Sequence, residues 1–270
     1  MVANFADIKH DLRIYLLSWR TQYKAATKLR GAFLLQVTGM IVNNIGLLVA
    51  WWFLFQHFGT INGWSAADLV GVQAVNMLVF GVTILSSTGL YELPRYVDQG
   101  SFDTFITKPV GLLPQIASSA IEISCVGDVV LGTVLIGWYI IVAHASLLAI
   151  ALFLLAMVLG ILLMWCFSLL PFLLAFYMVD SERVSRNIAF FFLDTGLYPT
   201  GILTGGLRTV LLTVFPGLFI GAVPLNVLRG VSWETLLIGV VVTAAWLFIS
   251  LKLFKRAVQK YESANLVGAR

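Results

Sequence analysis

Charge is scarce in this sequence. Lys and Arg number 17 and Asp and Glu 13 in 270 residues, so only 11% carry charge, where a soluble domain carries roughly a quarter. That excludes an ordinary soluble globular protein. Cysteine is scarcer still: Cys125 and Cys166 both lie inside apolar runs, which leaves neither a disulfide framework nor a thiolate metal site. The three histidines, His10, His57 and His144, are scattered over tails and loops without H-E-x-x-H or Cys/His ligand spacing. There is no G-x-x-x-x-G-K-S/T loop, so ATP phosphates are not cradled by that route. No G-x-S-x-G elbow is present, nor the clustered polar groups that a membrane phosphatase or protease would need. The chain therefore reads as non-enzymatic by itself, with no catalytic, metal or cofactor-binding residues of its own.

Apolar residues fill what charge leaves vacant. They make up 60% of the chain, and the mean hydropathy is +0.94. The apolar runs are long and continuous, without strand-like alternation, so the sequence predicts an all-α integral membrane protein and not a barrel. A pI near 9.1 could suggest nucleic acid, but the basic residues are placed otherwise, and no nucleic-acid partner is expected.

Residues 1–30 hold Lys9, Arg13, Arg20, Lys24, Lys28 and Arg30. No signal-peptide core follows a short basic start, so cleavage is not expected. Phe5, Ile8, Leu12, Tyr15, Leu16 and Trp19 recur at helical spacing against the basic background. This predicts an amphipathic helix lying on an anionic leaflet.

Five spans are clear, at about Ala32–Phe55, Leu69–Leu90, Leu113–Ala143, Leu147–Met178 and Leu236–Phe254. Each exceeds or approaches the roughly 20 residues needed to cross a bilayer. The region 188–224 is harder, because Ile188–Leu203 and Leu207–Val223 are broken by Tyr198-Pro199, Gly205-Gly206 and Pro216. Charge placement decides its expected topology. The basic N-terminus matches the C-terminal Lys252, Lys255, Arg256, Lys260 and Arg270, which puts both ends in the cytoplasm. Arg95 and Lys108, then Arg183 and Arg186, mark loops on the same side, and loops 56–67 and 144–146 have no Lys or Arg. Six crossings fit, with Leu207–Val223 expected as the fifth and 188–204 as interfacial or re-entrant.

The longest polar interruption is Glu92–Gly111, punctuated by Pro94, Gly100, Pro109 and Gly111. Ser101 is placed to cap a short helix whose first turn holds Asp103. Phe102, Phe105 and Ile106 are expected on one apolar face, and Pro109 stops the helix. Within the spans, Asp128 is the expensive residue and should face other helices or water; it is the candidate for a substrate path, together with Asn43 and Asn44. The competing reading is interhelical hydrogen bonding. Glu122 lies near the start of the third span, about 120° out of register with Asp128.

Gly100-Ser101-Phe102-Asp103-Thr104-Phe105-Ile106-Thr107-Lys108-Pro109 resembles a signature of bacterial type-2 ABC exporter permeases. The closing Tyr261-Glu262-Ser263-Ala264 is similar to that group's tail, and Tyr198-Pro199, Leu207-Arg208, Phe215-Pro216 and Val223-Pro224 to its fifth-span region. Phe176-Tyr177 departs from the Phe-Trp expected there. The resemblance implies a half-transporter in the bacterial cytoplasmic (inner) membrane, a single transmembrane domain of six helices. It would pair with a second permease, identical or a sister protein, and with two ATP-binding-cassette ATPases that hold ATP and Mg. The ATPases would touch the N-terminal helix and the residues Gly100, Ser101, Phe102, Asp103, Phe105, Ile106, Lys108 and Pro109. The alternative is a stand-alone channel or secondary transporter, which would call for inverted repeats that the chain does not display. An apolar interior suits an amphipathic drug, lipid or peptide better than a strongly charged sugar.

Overall fold

A computed structural model describes residues 5–58, 63–196, 205–230 and 233–261. Among these, every regular element is helical. Helix α1 covers Phe5–Thr27, α2 Arg30–Phe58, α3 Ala66–Tyr91, α4 Leu93–Asp98, α5 Asp103–Ile106 and α6 Leu112–Ala117. Then follow α7 Cys125–Val142, α8 Leu147–Leu169, α9 Glu182–Thr195, α10 Gly205–Thr213, α11 Ala222–Arg229 and α12 Trp233–Val258. Five stretches are long and apolar enough to cross a membrane: Arg30–His57, Ala66–Asp98, Cys125–Val142, Leu147–Phe176 and Trp233–Val258.

Helix α3 is the axis of the bundle, packing on α7 and α8, while α8 also packs on α11 and α12. Its start is defined by a capping box, with Ser65 and Asp68 satisfying one another's backbone amides. Its lower part is bent at Ser87 (φ −140°, ψ 16°). The cause lies in the hydroxyls of Ser86 and Ser87, which both donate to the Thr83 carbonyl, and of Thr88, which donates to that of Ile84. Helix α7 lies close to its neighbours because it carries Gly127 and Gly132. A Cβ at Gly132 would sit 2.9 Å from the Ala74 carbonyl oxygen of α3, and one at Gly127 2.6 Å from that of Val37 of α2.

Helix α2 is the outlier. Leu35 is 74% exposed and Phe53 69%, an apolar surface that water does not tolerate at this scale and that lipid or another protein must cover.

Three expected spans differ from those observed. The third does not begin at Leu113: α6 ends at Ala117, and α7 starts only at Cys125. The hydroxyls of Ser118 and Ser119 bond back to the carbonyls of Pro114 and Ile116. The carbonyls of Ser118 and Ser119 are claimed by α1, through Ser18 and Gln22. In the fourth, Pro171 ends the α-helix and a 3-10 turn continues to Phe176. Most consequential, Leu207–Val223 is not one continuous helix. It is split into α10, a 3-10 turn at Gly217–Ile220 and α11, because Pro216 lacks an amide donor. Gly217 and Gly221 there also pass against Thr195 and the Gly196 carbonyl, where a Cβ would collide.

Arg208 of α10 and Arg229 of α11 line one cavity with Thr235, near the start of α12. At the end of α10 the Thr213 carbonyl accepts from Trp246 Nε1 of α12 at 2.9 Å. Helix α9 starts beside Glu92 and ends against Asn76, partway along α3. Tyr198-Pro199 and Glu262-Ser263-Ala264 lie outside the described residues.

Candidate functional site

The polar segment 92–111 folds into a compact spur at one end of the bundle. Helix α4 opens with Leu93 and Pro94 buried, and Glu92 at its head pairs with Arg95 at 2.8 Å and Arg186 of α9 at 3.7 Å. Arg186 also pairs with Glu182 at 2.9 Å. Beside α4 a cavity of about 800 Å³ is lined by Asp98, Asp180, Glu182, Arg183 and Phe190. Gly100 then takes a left-handed turn (φ +69°), where a side chain would be strained. The turn lets the Phe102 amide donate back to the Tyr96 carbonyl at 2.9 Å.

Ser101 does not cap the following helix. Its hydroxyl donates backward to the Tyr96 carbonyl at 3.3 Å, and α5 is only four residues long, without a side-chain cap. The three apolar residues expected on one face also divide. Phe102 is 0% exposed, Phe105 is half-buried, and Ile106 is 46% exposed. The Phe102 ring meets Phe176 edge-on at 5.2 Å and Tyr261 at 4.8 Å, and Phe105 tilts onto Tyr96 at 5.1 Å. Phe102 thus fastens the spur to the bundle. Thr104, Ile106, Thr107, Lys108 and Pro109 remain outward, with Lys108 Nζ 5.7 Å above the Phe105 ring.

Three further ties hold the spur. The Tyr96 hydroxyl meets that of Ser119 at 2.9 Å. Gln115 donates to the Val110 carbonyl at 2.7 Å. The Gly111 amide donates to Asp11 Oδ1 of α1 at 3.0 Å, and a Cβ at Gly111 would collide with the same carboxylate. Helix α1 is in turn attached to the bend in α3: the Tyr15 hydroxyl donates to the Ser86 carbonyl at 2.7 Å, and Trp19 Nε1 to that of Leu85 at 2.6 Å. These acceptors are available because the bend releases them from the helix ladder. Tyr15 and Trp19 therefore point inward, while Leu12, Leu16 and Leu17 are exposed beside Arg13 and Arg20.

Tyr261, one turn past α12, closes the arrangement. Burial and the neighbouring Asp103 carboxylate push its phenol up to about 12. Nothing in the sequence pairs Tyr261 with Phe102 across so many residues; an aromatic in a basic tail is the only local sign. Asp11 and Gln115 give no sign at all.

Asp128 is 2% exposed and its Oδ1 accepts from Asn44 Nδ2 at 2.6 Å. This joins α7 to α2. Asn43, one residue earlier, faces outward, so the three polar residues do not converge. Glu122 stays exposed and binds Ser124 locally. Among the described residues no group of His, Cys, Asp and Glu is placed to hold a metal ion.

Chemically, the spur has no reactive centre. It is a small compact body with an exposed rim, tied to α1, to the bend of α3 and to the end of α12. Residues 41–265 match a family model described as ABC-2 family transporter protein. No curated protein matches the chain.

Proposed function

We propose that this chain, which belongs to the ABC-2 family of transporter proteins, is the permease subunit of an exporter driven by separate ATPase subunits. The observation that carries the reading is the spur at 92–111. It is locked by Phe102, Tyr96 and Gly111, yet it presents Ile106, Thr107, Lys108 and Pro109 outward. A permease driven by separate ATPases receives work as motion, and a spur inserted into a partner's groove transmits it. Displacement of the spur reaches α3 through α1 and reaches α12 through Tyr261, so the bundle shifts its access by shear of packed helices.

In this reading the spur and both termini are cytoplasmic, in a bacterial inner membrane, and α1 lies at the membrane surface. Two ATPases, carrying ATP and Mg, dock on the spurs of two permease subunits. The exposed apolar face of α2 is available to lipid and to the second permease.

Residue location is the direct test. Cys125 and Cys166 are buried, so a cysteine placed at Lys108 is the exposed thiol that an impermeant maleimide reads. Lys108→Cys should label in inside-out vesicles and stay unlabelled in intact cells. Labelling from outside would end the reading. Ile106→Asp should abolish co-purification of the ATPase while the permease remains folded; retained co-purification would remove the spur as the docking surface.

A further inference from the structure

The end of the bundle away from the spur is almost without cations, as expected for an external face. Among the described residues its only Lys or Arg are Arg208 and Arg229, and both line the same cavity of about 390 Å³. Two guanidinium groups in one recess, where the surrounding surface has none, call for a specific cause.

Arg229 is explained in part by its neighbours. Its Nε lies 3.3 Å from Asp68 Oδ1, its Nη2 donates to the Gly63 carbonyl at 2.7 Å, and its guanidinium stands 4.5 Å over the Trp64 ring. The Tyr139 hydroxyl shares Asp68 Oδ1 at 2.6 Å. This cluster fixes Arg229 in orientation and neutralises much of its charge. Arg208 differs: among the described residues it forms no ion pair, and it stands exposed on α10. The cavity wall adds Asn226 and Thr235 as polar groups and Leu212 and Val223 as apolar ones. Among the described residues no acidic one lines it.

We propose that this recess binds the phosphate group of an amphipathic molecule. Arg208 grips the anion with its forked donors, Arg229, its charge largely matched by Asp68, adds an oriented N–H donor, and Leu212 and Val223 cover the adjoining apolar part. The volume accommodates a headgroup and the first carbons of a chain, not a polymer. The proposal depends on the transporter reading only for the side on which the recess opens; binding itself requires no ATPase.

The test uses the full chain, purified in neutral detergent at low salt. Dihexanoyl phosphatidylglycerol, the neutral dihexanoylglycerol and inorganic phosphate are titrated by calorimetry. The wild type should bind the phospholipid saturably, one per chain, and the neutral diacylglycerol not at all. Arg208→Gln should weaken this by roughly tenfold to a hundredfold, the worth of one charge-assisted hydrogen bond. Arg208→Glu should weaken it further and Arg208→Lys less, with the melting temperature of all three unchanged, since the residue is exposed. If inorganic phosphate competes, a free or cargo-borne phosphate suffices; if it does not, the ligand must carry a lipid tail, and either result supports the site. Equal binding by wild type, Arg208→Gln and Arg208→Glu, or equal uptake of the neutral probe, would overturn it. Loss of ATPase docking on Ile106→Asp with phospholipid binding intact would separate the two proposals.

Discussion

Phe102→Ala offers the sharpest test of how the spur is held. The ring is fully buried between Phe176 and Tyr261. Truncating a buried Phe to Ala removes its transfer energy and leaves a cavity, at a cost of about 3–5 kcal/mol. The two edge-on aromatic contacts, each worth about 0.5–1.5 kcal/mol, are part of that total and are not added to it. For a chain of this size each kcal/mol lowers the melting temperature by about 2–4 °C, which gives a drop of roughly 6–20 °C. Hydrogen exchange should rise at 93–106 first, before α3 and α8, because the loss is local to the spur. Ile106→Asp is the control: its side chain is exposed, so its stability effect should stay within about 0.5 kcal/mol. The comparison also separates folding from docking, since a change at Phe102 cannot test a partner's surface without first disturbing the spur. If Phe102→Ala left the melting temperature within about 2 °C of wild type and exchange at 93–106 unaltered, the fastening assigned to this ring would be wrong.

Removing Asn44 should hurt more than its size suggests, because the Asp128 carboxyl would stay buried without its donor; Asn44→Ala should cost about 1–3 kcal/mol by thermal unfolding in detergent. Tyr15→Phe combined with Trp19→Phe should release α1 from the bend of α3, read as faster hydrogen exchange in 9–27 with little change in α8, at roughly 1 kcal/mol per lost bond. Gly132→Val should sharply reduce folded yield, as its Cβ would press 2.9 Å from the Ala74 carbonyl; normal yield would show that α7 can move aside. For Tyr261, whose phenol is pushed up to about 12 from an ordinary value of 10.0, the sign is that of a raised group. Its stabilisation is complete below pH 10.0 and lost as pH rises through 12. The difference in absorbance at the tyrosinate band between wild type and Tyr261→Phe should titrate near 12, not near 10.0.

Glu92–Gly111 was legible as a special segment because polar residues, prolines and glycines cannot continue an apolar span. Its internal arrangement was not. Helical spacing puts Phe102 beside Phe105 and Ile106 on one face, but α5 is too short to impose that spacing, and the aromatic pocket formed by Phe176 and Tyr261 drew Phe102 inward. The Asn44–Asp128 pair was foreseeable in kind, since a buried carboxyl needs a donor; which Asn supplied it depended on how α2 rotates against α7.

Composition and run length alone determined that this is a helical membrane protein, because long apolar runs without strand-like alternation satisfy their backbone groups in lipid as helices. They also located the spur and the sites of five spans. Tertiary packing alone decided that 205–229 forms two arms meeting at a bend, since Pro216 and the glycines permit a break but do not say where each arm will pack. It alone brought Arg208 to Arg229, Asp11 to Gly111 and Tyr261 to Phe102. Those pairs are separated by long stretches of chain, and one-dimensional periodicity holds no information about which distant residues a closed bundle presses together.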